Sequence, residues 1–265
     1  MSRQARITVA NGVYHVTSRG NGAQMIFDAP AEKSRMVDLL AETATKMNWS
    51  VYAWCIMGNH YHFLVSTPEN NLSEGMHDVN TSYGETYNRA RQRHGHVFQD
   101  RFYSILIAED SHLLEAARYV VLNPVRAGLV ATPEEWPWSS YASAVLGVRS
   151  RVTLSDRELM GMFAVDDFEA RRLYGAFVHE GIGLAKPQIL RSGSYQWRLE
   201  TATRPAGTMR QAGQRRHNAP EHDTIMRVAA LRERGLSLRD IASTLGISHM
   251  TVSRYLAAVT EEPRL

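Results

Sequence analysis

The chain has 265 residues, 44% of them hydrophobic and 22% charged, the composition of an ordinary globular protein with one large domain or two smaller ones. Lys and Arg number 30 against 27 Asp and Glu, and the net charge of +3 weakly favours an anionic partner, nucleic acid being the commonest. The one cysteine, Cys55, excludes an internal disulfide and nearly excludes a cysteine-based zinc site. No apolar run reaches the roughly 18 residues of a membrane span, and the first residues lack the apolar core of a signal peptide, so a cytoplasmic protein is expected.

Val13 to Arg19 alternates and is rich in β-branched and aromatic residues, the pattern of a strand, and Gly20-Asn21-Gly22 ends it. Apolar residues Met36, Leu40, Ala44 and Met47 recur at helical spacing between Pro30 and Met47. Ser50 to Met57 and His60 to Thr67 read as two strands joined at Gly58-Asn59 into a hairpin. A second helix is expected from about Leu72 to Arg91, and a fourth strand from His96 to Ala108. A third helix begins at Asp110 or Ser111 and is expected to stop at Asn123, because Pro124 follows. The order β-α-β-β-α-β, followed by a helix, predicts a ferredoxin-like α+β domain, an antiparallel sheet covered by helices on one face.

After Trp136-Pro137-Trp138-Ser139-Ser140-Tyr141 the chain continues in mixed helical segments. From 186 to 216 it becomes basic, with Lys186, Arg191, Arg198, Arg204, Arg210, Arg215 and Arg216 against the single acid Glu200, and reads as a poorly ordered linker able to contact nucleic acid. Asp223 to Val259 holds three short helical patterns punctuated by Gly235 and Gly246, with Ser237, Asp240 and Ser248 as start signals. This small all-α unit resembles the helix-turn-helix segments of resolvase-like and replication-initiator-like domains, most clearly in DIASTLGISHMTVSRYL. On that resemblance His249, Thr251, Ser253 and Arg254 face a DNA groove, with Arg254 able to bond guanine or phosphate. Four segments follow: 1–145 catalytic, 146–184 a helical extension, 185–220 the basic linker, and 221–260 the helix-turn-helix domain.

The stretch GNHYHFLVS places His60 and His62 two residues apart on a strand, and such residues share a face. Two imidazoles on one face can chelate a divalent metal, although a strand histidine is more often packed or on the surface. Tyr119 and Asn123 lie four residues apart and share a helix face. Each has an ordinary explanation, Tyr119 as a packing residue and Asn123 as a helix end before Pro124.

GNHYHFLV, then HVFQDRFYSILI, ARYVVLNPVRAGLV and WPWSSY, in that order over residues 10–145, resemble the IS200-like transposases, single-strand nucleases with a His-hydrophobic-His metal motif. Within them the resemblance is to the branch associated with repetitive extragenic palindromes (REP). Tyr61 fills the middle of the motif where a purely apolar residue is usual. The resemblance implies His60, His62 and Asn123 as ligands of a divalent metal, Mg²⁺ or Mn²⁺, and Tyr119 as nucleophile. It implies cleavage and rejoining of hairpin-associated single-stranded DNA through a 5′-phosphotyrosine. Arg19, Arg101 and Arg126 are candidates for phosphate contact by charge and neighbourhood. His15, His94, His96 and His112 match no role and read as surface or packing residues. Trp54, Phe102, Tyr103, Trp136 and Trp138 are candidates for stacking on bases, with packing favoured for the Trp136–Trp138 stretch. A monomer and a homodimer both remain open. The competing reading is an inactive, domesticated relative that regulates transcription through its C-terminal module.

Overall fold

In the computed structural model, the described residues are 9, 11–107, 110–187 and 190, then 227–232, 234, 236, 238–245 and 252. The chain divides into two compact units, 1–195 and 196–265.

The first unit is built on four strands, β1 (Gly12–Arg19), β2 (Ser50–Ile56), β3 (His60–Thr67) and β4 (Tyr103–Ile107). They pair antiparallel in the order β2-β3-β1-β4, the ferredoxin-like arrangement. Helices α1 (Pro30–Lys46) and α2 (Leu72–Ala90) supply Met36, Leu40, Met76 and Val79 to one face of the sheet, where they meet Tyr14, Val16, Tyr61, Phe63 and Val65. Pro30 starts α1 where its missing N–H costs nothing, Glu32 accepts a bond from the Ala29 N–H at 2.9 Å, and Asn48 at φ 54° closes the far end.

Helix α3 (Asp110–Val121) packs against β2, β3 and β4. It lies on the opposite face from α1 and α2, since its Tyr119 meets the His15 and His62 rings while Tyr61 and Phe63 point into the α1–α2 core. Then follow α4 (Asn123–Arg126), α5 (Tyr141–Leu146), α6 (Asp156–Met160) and α7 (Asp167–Glu180).

Most element boundaries fall within a residue of the sequence reading; two differ by more. The fourth strand begins at Tyr103 rather than His96. Residues 97–99 instead lie along the end of β1, where Gly20 bridges Phe98, Asn21 donates to the Val97 carbonyl and Gln99 donates to the Arg19 carbonyl. A bend at Arg101 then separates this stretch from β4. Pro124 does not stop the helix at Asn123: α3 ends earlier, at Val121, and Pro124 sits in the first turn of α4, where no N–H is required.

The Trp136–Tyr141 stretch covers the outer edge of β2. Ile56 donates to the Trp138 carbonyl at 2.8 Å, Ser140 donates to the Trp54 carbonyl at 2.9 Å, and Ser139 bridges Cys55. The exposed edge of a sheet is a template for unwanted pairing, and this segment occupies it.

In the second unit, residues 227–232 are helical and a further helix spans Leu238–Leu245. Val228, Ile241 and Val252 form a small core with Leu231, Leu236 and Leu245 against it. His249, Thr251, Ser253 and Arg254 lie outside the described residues, as do 191–226, most of the expected linker. Among the described residues no helix is long and apolar enough to cross a membrane.

Candidate active site

Sheet register builds the site. Thr17 pairs with His62 and Arg19 with His60, so His15, Thr17 and Arg19 of β1 share a face with His60 and His62 of β3. The same parity adds Tyr103 and Ile105 of β4 and Cys55 of β2, and α3 lies over this face.

The His60 and His62 rings stand 4.9 Å apart between centroids, nearly perpendicular. Tyr119 presents its ring edge-on to His62 at 5.7 Å and to His15 at 5.9 Å. Three histidines and the tyrosine thus form one cluster. His15, read from sequence as a packing or surface residue, is buried inside it and hydrogen-bonds His62, Nε2 to Nδ1, at 2.9 Å. No local pattern reveals this, because His15 meets His62 diagonally across a strand pair 47 residues away in sequence. His112 is half-buried on α3, while His94 and His96 are exposed in the α2–β4 loop.

Asn123 is buried as the first residue of α4, directly after the helix that carries Tyr119. Its Nδ2 donates to the Tyr119 carbonyl at 2.8 Å and to the Val120 carbonyl at 3.4 Å, which commits the amide nitrogen and leaves Oδ1 as the atom it could offer a cation.

Burial sets the charges here. It holds His60, with Arg19 nearby, down at about 4, and His15, with Lys186 nearby, down at about 3. His62 lies well below its usual value for the same reason, reinforced by the other histidines and Lys186. All three rings are neutral at physiological pH, the state in which an imidazole binds a metal. Burial raises the Tyr119 phenol, and Arg126 opposes that rise.

The donor set fits a divalent cation. His62 Nε2 is buried with no hydrogen-bond partner among the described residues, and such an orphan calls for a ligand. His60 Nδ1 is engaged by Asn59 Oδ1 at 2.6 Å, which leaves its Nε2 for the ion. Among the described residues no three His, Cys, Asp or Glu side chains gather as a metal cage, and the amide of Asn123 is a donor of another type.

Cations border the cluster. The Arg126 guanidinium lies 5.4 Å from the Tyr119 ring centroid and the Lys186 ammonium 5.3 Å. Arg126 also donates to the carbonyls of Leu184 at 2.6 Å and Ala185 at 3.5 Å, which ties the segment before Lys186 to the Tyr119 neighbourhood. The sequence reading had placed Lys186 only in the linker. Arg19 is exposed beside His60 at the end of β1. Arg101 is exposed in the bend before β4, and no contact joins it to the histidines or Tyr119 among the described residues. Of the candidate stacking residues, Trp54 and Phe102 are buried, Trp136 donates Nε1 to the Ile56 carbonyl and Trp138 packs on the core, whereas Tyr103 is 47% exposed on the site face.

Residues 8–123 match the family model described as transposase IS200 like, and residues 220–262 match that of a homeodomain-like domain. The first unit thus resembles IS200-like transposases over residues 8–123, and residues 220–262 resemble a homeodomain-like domain. Its similarity is to the REP-associated tyrosine transposases. A Haemophilus influenzae protein named as one is 28% identical over 114 residues, a match covering 38% of this chain and 63% of that relative. A structure of a REP-associated tyrosine transposase bound to a REP hairpin aligns over 58% of this chain and 92% of its own, at 18% identity and a TM-score of 0.48. One from Deinococcus radiodurans, described as a transposase, aligns over 42% and 89%, at 14% identity and a TM-score of 0.33.

Proposed function

We propose that this protein cleaves and rejoins single-stranded DNA, with Tyr119 as nucleophile. The observation that carries the reading is the packing of the Tyr119 ring against His62, itself beside His60, on one face of the sheet.

In the proposed reaction the Tyr119 phenolic oxygen attacks a phosphorus in line with the departing 3′ oxygen. The new bond is a 5′-phosphotyrosine, the phosphorus–3′-oxygen bond breaks, and the leaving oxygen takes up a proton as a free 3′-hydroxyl. The linkage keeps the phosphodiester's bond energy, so attack by another 3′-hydroxyl reseals the strand and frees Tyr119. His60, His62 and Asn123 would hold Mg²⁺ or Mn²⁺, which when bound supplies positive charge at the scissile phosphate. Arg126 and Lys186 face the ring of the phenol that must ionise, and Arg19 extends positive charge past His60. Tyr103, exposed on the same face, suits stacking on an unpaired base. Hairpin-flanking single strands as substrate come from the resemblance and accord with the REP-hairpin complex of a similar protein. The helix-turn-helix domain is proposed to bind duplex DNA through His249, Thr251, Ser253 and Arg254.

The test uses a pool of labelled DNA hairpins with randomised single-stranded flanks, incubated with the full chain and Mn²⁺. A covalently shifted band on a denaturing gel is expected from the wild type and absent from Tyr119→Phe, which keeps its non-covalent hairpin affinity. EDTA is expected to abolish the band. A wild-type-level adduct in Tyr119→Phe sinks the assignment of the nucleophile, and undiminished cleavage in EDTA sinks the metal role.

A further inference from the structure

We infer that His15 is a positioning residue: it fixes the ring plane and tautomer of His62 so that His62 turns a bare Nε2 toward the cation beside Tyr119. This rests on the reading of His60 and His62 as metal ligands.

The contact has the geometry of a directed hydrogen bond. The two rings are within 8° of parallel, yet their centroids are 5.1 Å apart while His15 Nε2 and His62 Nδ1 are only 2.9 Å apart. Nearly parallel planes with a long centroid separation and a short nitrogen contact place the rings edge to edge, with the bond close to both planes.

One proton lies between those nitrogens, and its owner decides what His62 offers the site. If His15 Nε2 donated, the proton of neutral His62 would sit on Nε2, an N–H buried without an acceptor and aimed where a cation belongs. If His62 Nδ1 donates, Nε2 carries a lone pair and His15 keeps its proton on Nδ1. Both outer nitrogens, His62 Nε2 and His15 Nδ1, are buried and lack a hydrogen-bond partner among the described residues. The second arrangement gives the orphaned Nε2 a ligand.

His60 supplies an independent precedent within the same site. Asn59 Nδ2 donates to the Ala23 carbonyl at 3.0 Å, so the side-chain atom facing His60 is the oxygen Oδ1, which only accepts. His60 therefore carries its proton on Nδ1 and bears its lone pair on Nε2. Asn59 does for His60 what His15 does for His62, and both rings present the same nitrogen. His15 also meets the edge of Tyr119, so one side chain braces both a ligand and the nucleophile. Neither the turn residue nor the β1 histidine is among the ligands implied by the resemblance.

The decisive measurement needs no activity. Nitrogen-15 NMR of the histidine rings in EDTA-treated full-length protein at pH 8 is expected to show His62 as the Nδ1–H tautomer. His15→Phe, which keeps a flat ring but accepts nothing, is expected to lose that single tautomer. Mn²⁺ affinity read by electron paramagnetic resonance is expected to fall about 10- to 100-fold in His15→Phe. His15→Gln, which restores an acceptor, is expected to regain most of it. A wild-type His62 protonated at Nε2, or an unaltered tautomer and Mn²⁺ affinity in His15→Phe, overturns the proposal. The wild-type tautomer stands as a test even if a variant fails to fold. Failure of the parent reading registers separately, as absence of the phosphotyrosine adduct in wild type.

Discussion

Tyr119 faces opposing demands: the packing that positions it also keeps its proton on. Burial raises the phenol and Arg126 pulls it back, so Arg126→Met should leave Tyr119 ionised to a smaller extent at any pH. Adduct formation is expected to slow about tenfold, less than for a buried charge because Arg126 is solvent-exposed, and the deficit should shrink as pH rises. A pH–rate profile of both proteins checks this; parallel profiles would contradict it. The histidines give the opposite edge. From the ordinary value of 6.5, His60 is held at about 4, His15 at about 3 and His62 well below. Below pH 6.5 the unfolded chain binds protons that the folded chain refuses, so stability is full above that pH and falls as pH drops toward 4. Melting temperatures in EDTA should therefore be level near pH 8 and decline below about 6.5. That His60 and His62 share a face was legible from strand parity, while the roles of His60, His62, Tyr119 and Asn123 come only from the resemblance. His15 was not, because its role depends on a cross-strand register that no local window contains.

Elements were most legible where one periodicity ran uninterrupted. β3 occupies the expected His60–Thr67, and α1 differs from expectation only at its last residue. Legibility failed where tertiary contacts decide. Hydrophobic residues around 97–102 pattern like strand but pair outside the ladder, and Pro124 reads as a stop when it begins a new turn. The Trp136–Tyr141 stretch, read from sequence as packing rather than base stacking, is edge cover for β2, a role visible only through main-chain bonds. Packing between elements also gives glycine a specific place. A Cβ at Gly75 on α2 would run into the Trp49 ring, and Trp49 cannot easily yield because its Nε1 donates to Asn71 Oδ1 at 2.7 Å. Gly75→Ala is expected to cost about 1–3 kcal/mol despite alanine's better helix propensity. Urea unfolding measures it, and a variant as stable as wild type would show that the α2–Trp49 contact gives way freely.

At the scale of the whole molecule, two compact units carry two different relations to DNA. The first contains every group of the proposed chemistry, from His15 to Lys186. Leu184 and Ala185, at the junction of the expected helical extension and linker, are bonded by Arg126, so a truncation at 184 would remove part of the Tyr119 surroundings. Cutting after Tyr195 keeps them. The second unit has its own apolar centre in Val228, Ile241 and Val252. A compact core within each unit predicts separable activities. The fragment 1–195 is expected to unfold cooperatively and to form the hairpin adduct at the full chain's rate, while losing the salt-dependent duplex-DNA binding proposed for the second unit. Phosphate contacts are what make such binding salt-dependent, so the slope of log affinity against log salt on duplex DNA should flatten in the fragment. On single-stranded hairpins, where Arg19, Arg126 and Lys186 remain, the slope should persist. A fragment that folds yet forms no adduct would place an essential catalytic group in the second unit. Unchanged duplex binding would move the helix-turn-helix from recognition to another task.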